Sequence, residues 1–373
     1  MTNQDIQNQI KKIEAEIKRI DDNENTFYFF IIDSKGCPSG DLAYIYNLAL
    51  ISQKNGKNVK MLYQLQDEKD EFIGVDGWLG EEYASLPHEN IASSDVHMAP
   101  SDVLFIPEIF TNVMEETHKS HLPCKRIVIT QNYDFVVDQL PFSRQWGDYN
   151  IMESMVKTDV LGDMVKELFP YVKTTTVNPF IHNKFFKVNT PKKLVVNIIA
   201  KDDNDVNKII KPFKLKYPIF KFVSFVRCNQ MPQDVFAENL RNNFATIWVD
   251  RESYFGLSAL EALKSGSIVI AKTTDITQEW MVNDDNDKTL SNCCLWFDTI
   301  HEVHKILANV VRAWMDDNVP CILEQSADKA VEKYTYDNTV NQMTSYLADI
   351  NARRKKEFEN IIILLKKKID TNN

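Results

Sequence analysis

One stretch, Trp248 to Gly266, restricts what this chain can fold into more than any other. Phe244-Ala-Thr-Ile-Trp-Val249 is an unbroken apolar run of strand length, as in a strand covered on both faces. A polar loop follows and ends in Phe255-Gly256. Beyond it Leu257, Leu260 and Leu263 fall at a spacing of three, which predicts a helix. Gly266 is its C-cap, and Ser267-Ile-Val-Ile-Ala271 is the next strand. Strand, loop, helix, strand is the unit of a parallel α/β sheet. A glycine at the helix start lets an anion approach the backbone N–H groups, and the helix dipole favours that anion. Glu261, one turn in, stands where a carboxylate can accept two hydrogen bonds from a ribose diol. The pattern fits equally an ordinary βαβ unit whose Glu is solvated.

Composition narrows the class. The 373 residues leave room for two ordinary domains, and 44% hydrophobic with 26% charged content is that of a globular chain. A net charge of −10 argues against nucleic-acid binding, which needs a basic footprint. No apolar run approaches the roughly 18 residues of a membrane span. The N-terminus is polar and of mixed charge, unlike a signal peptide. The six cysteines show no C-x-x-C spacing, so reduced thiols and a cytoplasmic protein are expected.

Along the chain, Ile6, Ile10, Ile13, Ile17 and Ile20 form a heptad seam in residues 4–22. It suits packing on the chain's own domain or a homo-oligomer contact. Thr26–Asp33 is a strand, Ser34–Gly40 a loop, Leu42–Ile51 lies on a helix, and Asn58–Tyr63 is a second strand. Neither G-x-G-x-x-G nor the phosphate-loop motif occurs, which removes support for NAD and P-loop readings. Residues 64–100 are irregular. Val103–Pro107 and Arg126–Thr130 are further strands around a helix at 111–119. The second ends in Gln131-Asn-Tyr-Asp134, polar residues where open α/β sheets bind ligands. Met155–Phe169 is expected to be helical and Lys173–Val177 a strand.

After Pro191 a second α/β series begins: strand 194–200, helix 204–217, strand 220–226, helix 232–242, the opening stretch, strand 294–297 and helix 300–315. From Asp328 on the chain reads as helical. Residues 353–368 carry seven Lys/Arg against two Glu, with Phe358, Ile362 and Leu365 among them. That suits a helix packed on the body or one resting on anionic lipid.

Gly256-Leu-x-x-Leu-Glu261-Ala262, then Gly266 and a strand, resembles the C-domain signature of retaining GT-B glycosyltransferases of the family-4 type. Ile198-Ile-Ala-Lys201-Asp202, Val177-Asn-Pro-Phe-Ile-His182, Ile129-Thr-Gln-Asn-Tyr133 and Ser39-Gly40 fall in the family's order. The resemblance spans about residues 26 to 340. It implies an α/β fold of two Rossmann-like domains facing across a cleft, with helical extensions at both ends. The expected segments are a heptad helix at 1–23, an acceptor domain at 24–188, a nucleotide-sugar domain at 189–335 and a helical extension at 336–373.

What the resemblance implies about function is transfer of a sugar from a UDP- or GDP-type donor to a glycan, lipid-linked or protein acceptor, with retention, in a hexosyltransferase-type enzyme that needs no metal. Lys201, Glu252 and His182 are the implied catalytic residues. Gly256, Leu257, Glu261, Ser253, Lys208 and Gly40 are those at the donor, and Gln131, Asn132, Tyr133 and Asp134 those at the acceptor. The family's first Glu stands eight positions before the second, and here that position is Ser253, with Glu252 one residue away. The competing reading is a degenerate GT-B module acting as an assembly subunit. Asp203-Asn-Asp205 and Asp285-Asn-Asp287 imitate a D-x-D metal motif but lie in polar loops by this reading. His301 and His304 lack a third ligand, so no metal site is expected.

Overall fold

The computed structural model describes residues 2–65, 71–249, 255–283 and 289–372. Glu252, Ser253 and the Asp285-Asn-Asp287 motif lie outside them. The chain divides into two compact units: Met1–Asp76 with Gly80–Val177 and Val340–Asn373, and Gly77–Leu79 with Asn178–Thr339.

The first unit takes its elements in the order α1 (Asn3–Asp21), β1 (Thr26–Phe30), α2 (Gly40–Lys54), β2 (Asn58–Tyr63), β3 (His88–Asn90), β4 (Val103–Pro107), α3 (Thr111–Lys119), β5 (Lys125–Thr130), α4 (Tyr133–Gln139), β6 (Glu153–Val156), α5 (Asp159–Leu168) and β7 (Lys173–Thr176). Its sheet is wholly parallel, in the order β3-β2-β1-β4-β5-β6-β7. Side chains alternate across it, as strand geometry requires. Phe27 and Phe29 stack on Phe105 of β4 on one face. Tyr28 and Phe30 join Leu104, Ile106 and Val128 in the cluster on the other. A parallel sheet with both faces covered explains why these strands read as apolar runs.

The second unit holds β8 (Lys193–Ile199), α6 (Asp203–Lys216), β9 (Ser224–Arg227), α7 (Gln233–Asn242), β10 (Asn243–Trp248), α8 (Leu257–Lys264), β11 (Ile268–Lys272), β12 (Leu295–Phe297), α9 (Val303–Met315) and α10 (Cys321–Glu332). Its parallel sheet runs β12-β11-β10-β8-β9. Val269 and Ala271 pack with α7, α8 and α10 on one side; Ile270, Val196 and Ile198 pack with α6 and α9 on the other. Both units are Rossmann-like layers of helix, parallel sheet and helix, the α/β class expected from the alternation of strands and helices.

The last helix, α11 (Tyr336–Asn372), returns to the first unit from Val340 on. The isoleucine seam of α1 meets it there. Ile6 and Ile10 are buried with Ile362 and Leu365, and Ile13, Ile17 and Ile369 close the cluster. The seam is therefore used within the chain. The basic residues of 353–368 start as internal anchors too: Arg354 donates to Pro100 O at 3.0 and 2.8 Å, and Lys355 reaches Asp21 at 2.7 Å. No helix among the described residues is long and apolar enough to cross a membrane.

Three expectations need correction. Residues 153–156 form β6 and not the start of a helix; Thr158 then caps α5 by accepting from Leu161 N at 3.2 Å, and that cap separates the two elements. The strand expected from Phe220 begins at Ser224, because Pro218–Phe220 makes a short helical turn that buries Phe220 against Phe213. Asp203–Asp205 is the first turn of α6, with Asp202 as N-cap, not a loop.

Buried Glu153 ties α11 to the first sheet. It accepts from Arg353 Nη1 at 2.7 Å and Nη2 at 2.6 Å, from Lys125 Nζ at 2.8 Å and from Tyr346 Oη at 3.0 Å. Burial pushes its carboxyl up, but Arg353 and Lys125 more than reverse this and hold it below the ordinary value. Removing one partner of a buried ion pair is costly. Arg353→Met is expected to destabilise the first unit by about 2–4 kcal/mol, read as a lower urea midpoint for that unit.

Candidate functional site

In the second unit β8 lies between β9 and β10, so successive connections leave this strand in opposite directions. Beyond the carboxyl ends at such a reversal an open α/β sheet leaves a ligand crevice. Lys201 follows β8 there, and the segment running to Gly256 follows β10.

Gly256 is the N-cap of α8 at φ +70°, the left-handed region. A Cβ on it would lie 2.9 Å from Trp280 Cζ2 and 3.0 Å from Trp248 Cη2. Two indole rings and the backbone turn therefore both exclude a side chain. Trp280 is itself held by its Nε1 donating to Phe255 O at 2.8 Å. Among the described residues no side chain caps the α8 N-terminus; the amides of Leu257 and Ser258 have no acceptor within the helix, and the dipole there favours negative charge. At the other end Gly266, φ +72°, closes the helix as expected: Gly266 N donates to Leu263 O at 2.9 Å and Ser267 N to Ala262 O at 3.0 Å. Lys192 secures that end, its ammonium 2.8 Å from Ser265 O and 3.0 Å from Arg241 O at the end of α7.

α8 is buried nearly all round, and Glu261 with it, at 8% exposure. The carboxyl has no hydrogen-bond or ion-pair partner among the described residues, and burial raises its pKa to about 8. A freely solvated Glu is thus excluded; the side chain is a largely buried polar group one turn from a helix start that no described side chain caps.

Lys201 is exposed beside this helix's neighbouring strand end. Arg227, the last residue of β9, donates from Nη2 to Lys201 O at 3.2 Å, pairs with Asp203, and keeps its Nε buried with no acceptor among the described residues. Arg227 had a visible signal in the sequence, a cation closing an apolar strand. Lys208 lies half-exposed on α6 with its ammonium 3.7 Å from Asp205. His182 is part-buried in a turn of the same unit, its Nδ1 accepting from Lys184 N at 3.2 Å. Among the described residues no cluster of His, Cys, Asp and Glu could hold a metal.

The first unit has its own reversal, at β1 and β4. Gln131 and Asn132 follow β5; Asn132 caps α4 by accepting from Asp134 N at 3.0 Å, and Tyr133 and Asp134 form the first turn. The amides of Gln131 and Asn132 donate to Glu108 Oε1 at 2.9 and 2.8 Å. Glu108 went unremarked in the sequence because one acidic residue after a strand has no motif. Gly40 opens α2 with open space where a Cβ would stand; the left-handed turn of that loop is at Gly36, φ +75°. A side chain would fit at position 40, so nothing in the turn requires glycine there.

No protein-family model matches the sequence, and no curated protein matches it. Solved structures do. Sucrose-phosphate synthase from Thermosynechococcus elongatus aligns with a TM-score of 0.61 at 10% identity over 88% of this chain and 100% of that one. Anabaena HepE in complex with UDP-glucose gives 0.58 at 9% over 87% and 99%. The pneumococcal O-GlcNAc transferase GtfA with UDP and GlcNAc gives 0.57 at 9% over 87% and 99%. The fold is that of the GT-B glycosyltransferases. At such identities the likeness is one of backbone architecture.

Two outcomes follow from the second unit's geometry. Gly256→Ala is expected to cost about 2–4 kcal/mol, from the left-handed backbone and the indole overlap together, measured by urea unfolding. Glu261 holds its proton more tightly folded than unfolded, so stability is present below pH 4.5 and falls as pH rises from there through about 8. Glu261→Gln is expected to remove this loss and to be the more stable protein at pH 9 by on the order of 5 kcal/mol, seen as a higher melting temperature without ligand.

Proposed function

We propose that this protein is a glycosyltransferase that takes a nucleotide-sugar of the UDP or GDP type in its second unit and an acceptor in its first. The observation that carries the reading is Glu261: a buried carboxyl with no partner among the described residues, one turn into a helix whose N-terminus none of them caps. A ribose diol supplies the two donors that such a carboxylate lacks. A pyrophosphate fits the helix start, where amides and dipole favour negative charge. Lys201, with Arg227 beside it, supplies positive charge for the leaving diphosphate, and stabilising that developing charge is the main catalytic demand in transfer from a nucleotide-sugar.

Retention, a hexose as the transferred sugar and charge neutralisation without a metal belong to this proposal, as do an acceptor domain carrying Gln131–Asp134 and a role for His182 near the reacting sugar. Glu252 is the candidate for the sugar contact. Ser253, standing at the position of the family's first Glu, is the feature that favours the competing reading, a GT-B module that binds without transfer.

A thermal-shift panel of UDP-, GDP-, ADP- and dTDP-sugars is expected to raise the melting temperature for one base, since a ligand that binds only the folded state stabilises it. That shift, and donor hydrolysis or transfer, are expected to be lost in Glu261→Ala and strongly reduced in Lys201→Ala. A proton must leave Glu261 for the carboxylate to accept both hydroxyls, so nucleotide affinity should rise with pH up to about 8 and level off above it. Binding without turnover would favour the module; no binding of any nucleotide-sugar would sink the transferase.

A further inference from the structure

The first unit contains acceptor atoms that lack donors. A pocket of about 260 Å³ opens beyond the carboxyl ends of β1 and β4, and Ile31, Asp41, Glu108, Phe110, Gln131 and Phe135 are among the residues around it. Glu108 is 2% exposed. Its Oε1 takes the Gln131 and Asn132 amides, while among the described residues its buried Oε2 has no partner and the buried Gln131 Oε1 has none either. Buried polar atoms are nearly always paired, so two orphaned acceptors in one pocket mark a place for a ligand's hydrogens. Burial, reinforced by Asp41, holds the Glu108 carboxyl up at about 7. Above that pH Glu108 is ionised, accepts on both oxygens and with Asp41 disfavours an anion, while the Lys157 ammonium 2.7 Å from Asp41 offsets part of that charge. Ile31, Phe110 and Phe135 give the rest of the wall an apolar surface.

We propose that this pocket binds an uncharged sugar ring, whose hydroxyls donate to Glu108 Oε2 and Gln131 Oε1 while its C–H face lies on the apolar wall. The ligand class follows from the donors required, the charges present and the apolar area. This deepens the proposed function by naming a neutral glycosyl group as the acceptor, and it rests on that reading only in calling the ligand an acceptor.

The experiment uses the full chain without nucleotide. Saturation-transfer NMR is run with methyl α-D-glucopyranoside and methyl α-D-mannopyranoside, and with glucose 6-phosphate, glucuronate and ethanolamine for comparison. At least one methyl glycoside is expected to bind, with both anionic sugars tenfold or more weaker. Glu108→Gln keeps an oxygen for the two amides, presents an NH2 in place of Oε2, and removes a buried ionisable group. It is expected to fold, melt no lower than the parent at pH 8, and bind the glycoside at least tenfold more weakly. Gln131→Leu, which deletes the second acceptor, is expected to weaken it too.

The proposal is overturned if neither methyl glycoside binds at millimolar concentration, if a folded Glu108→Gln binds as the parent does, if glucose 6-phosphate binds equally well, or if only ethanolamine binds. Nucleotide-sugar binding is measured on the same variants. Glycoside binding without nucleotide binding removes the transferase reading and keeps this pocket; the reverse result removes the pocket and keeps the donor site.

Discussion

Gly256 sits between two indole rings with a backbone that turns the left-handed way. Much of the second unit's crevice depends on this contact. Trp248 ends β10, the central strand of the second sheet and the neighbour of β8, and Trp280 is held to Phe255 by its indole N–H. With no Cβ between them the chain turns sharply, and α8 starts at once with no side-chain cap among the described residues. α8 itself lies in the core, and Glu261 is buried with it. A single small residue thus sets the anion-favouring helix start, one turn from the buried carboxyl. The cost of that carboxyl is carried by the apolar packing of α8 around it.

Three buried glutamates show how environment separates structure from binding. Glu153 receives four hydrogen bonds from Arg353, Lys125 and Tyr346, and its pKa lies below the ordinary value. It is satisfied, and its role is to hold α11 on the first sheet. Glu108 has two backbone amides on one oxygen and no partner on the other, and its pKa rises. Glu261 has no partner among the described residues and rises further. All three are chemically alike and nearly equally buried. What differs is the supply of donors, because a buried carboxylate survives ionised only where hydrogens and cations meet it. The two that lack donors stand at the carboxyl ends of parallel strands or on the helix following one, where ligands enter such sheets.

The terminal helices show a different economy. The isoleucine seam of α1 and the apolar positions of α11 each look unfinished in isolation. Together they form one small cluster on the first unit, fastened by Lys355 to Asp21 and Arg354 to Pro100. A seam of two heptads is too short to bury itself with a copy of the same length as securely as it does against a helix of the same chain, where association costs no translational freedom.

The sequence by itself determined the alternation of strands and helices, because apolar runs, leucine spacing and the Gly266 stop are local signals. Lys193–Ile199, Asn243–Trp248 and the α8 boundaries were legible for that reason, and so was the fold class. It singled out Glu261 through its distance from Gly256. The short strand β6 was missed because four residues carry no period of their own; only pairing with β5 and β7 makes them a strand. Tertiary structure alone decided that Glu261 is buried and unpartnered, that Arg227 stands beside Lys201, and that Glu108 shares a pocket with Gln131. Each of these depends on strands distant in sequence lying side by side, and on which atoms the packing leaves without hydrogens.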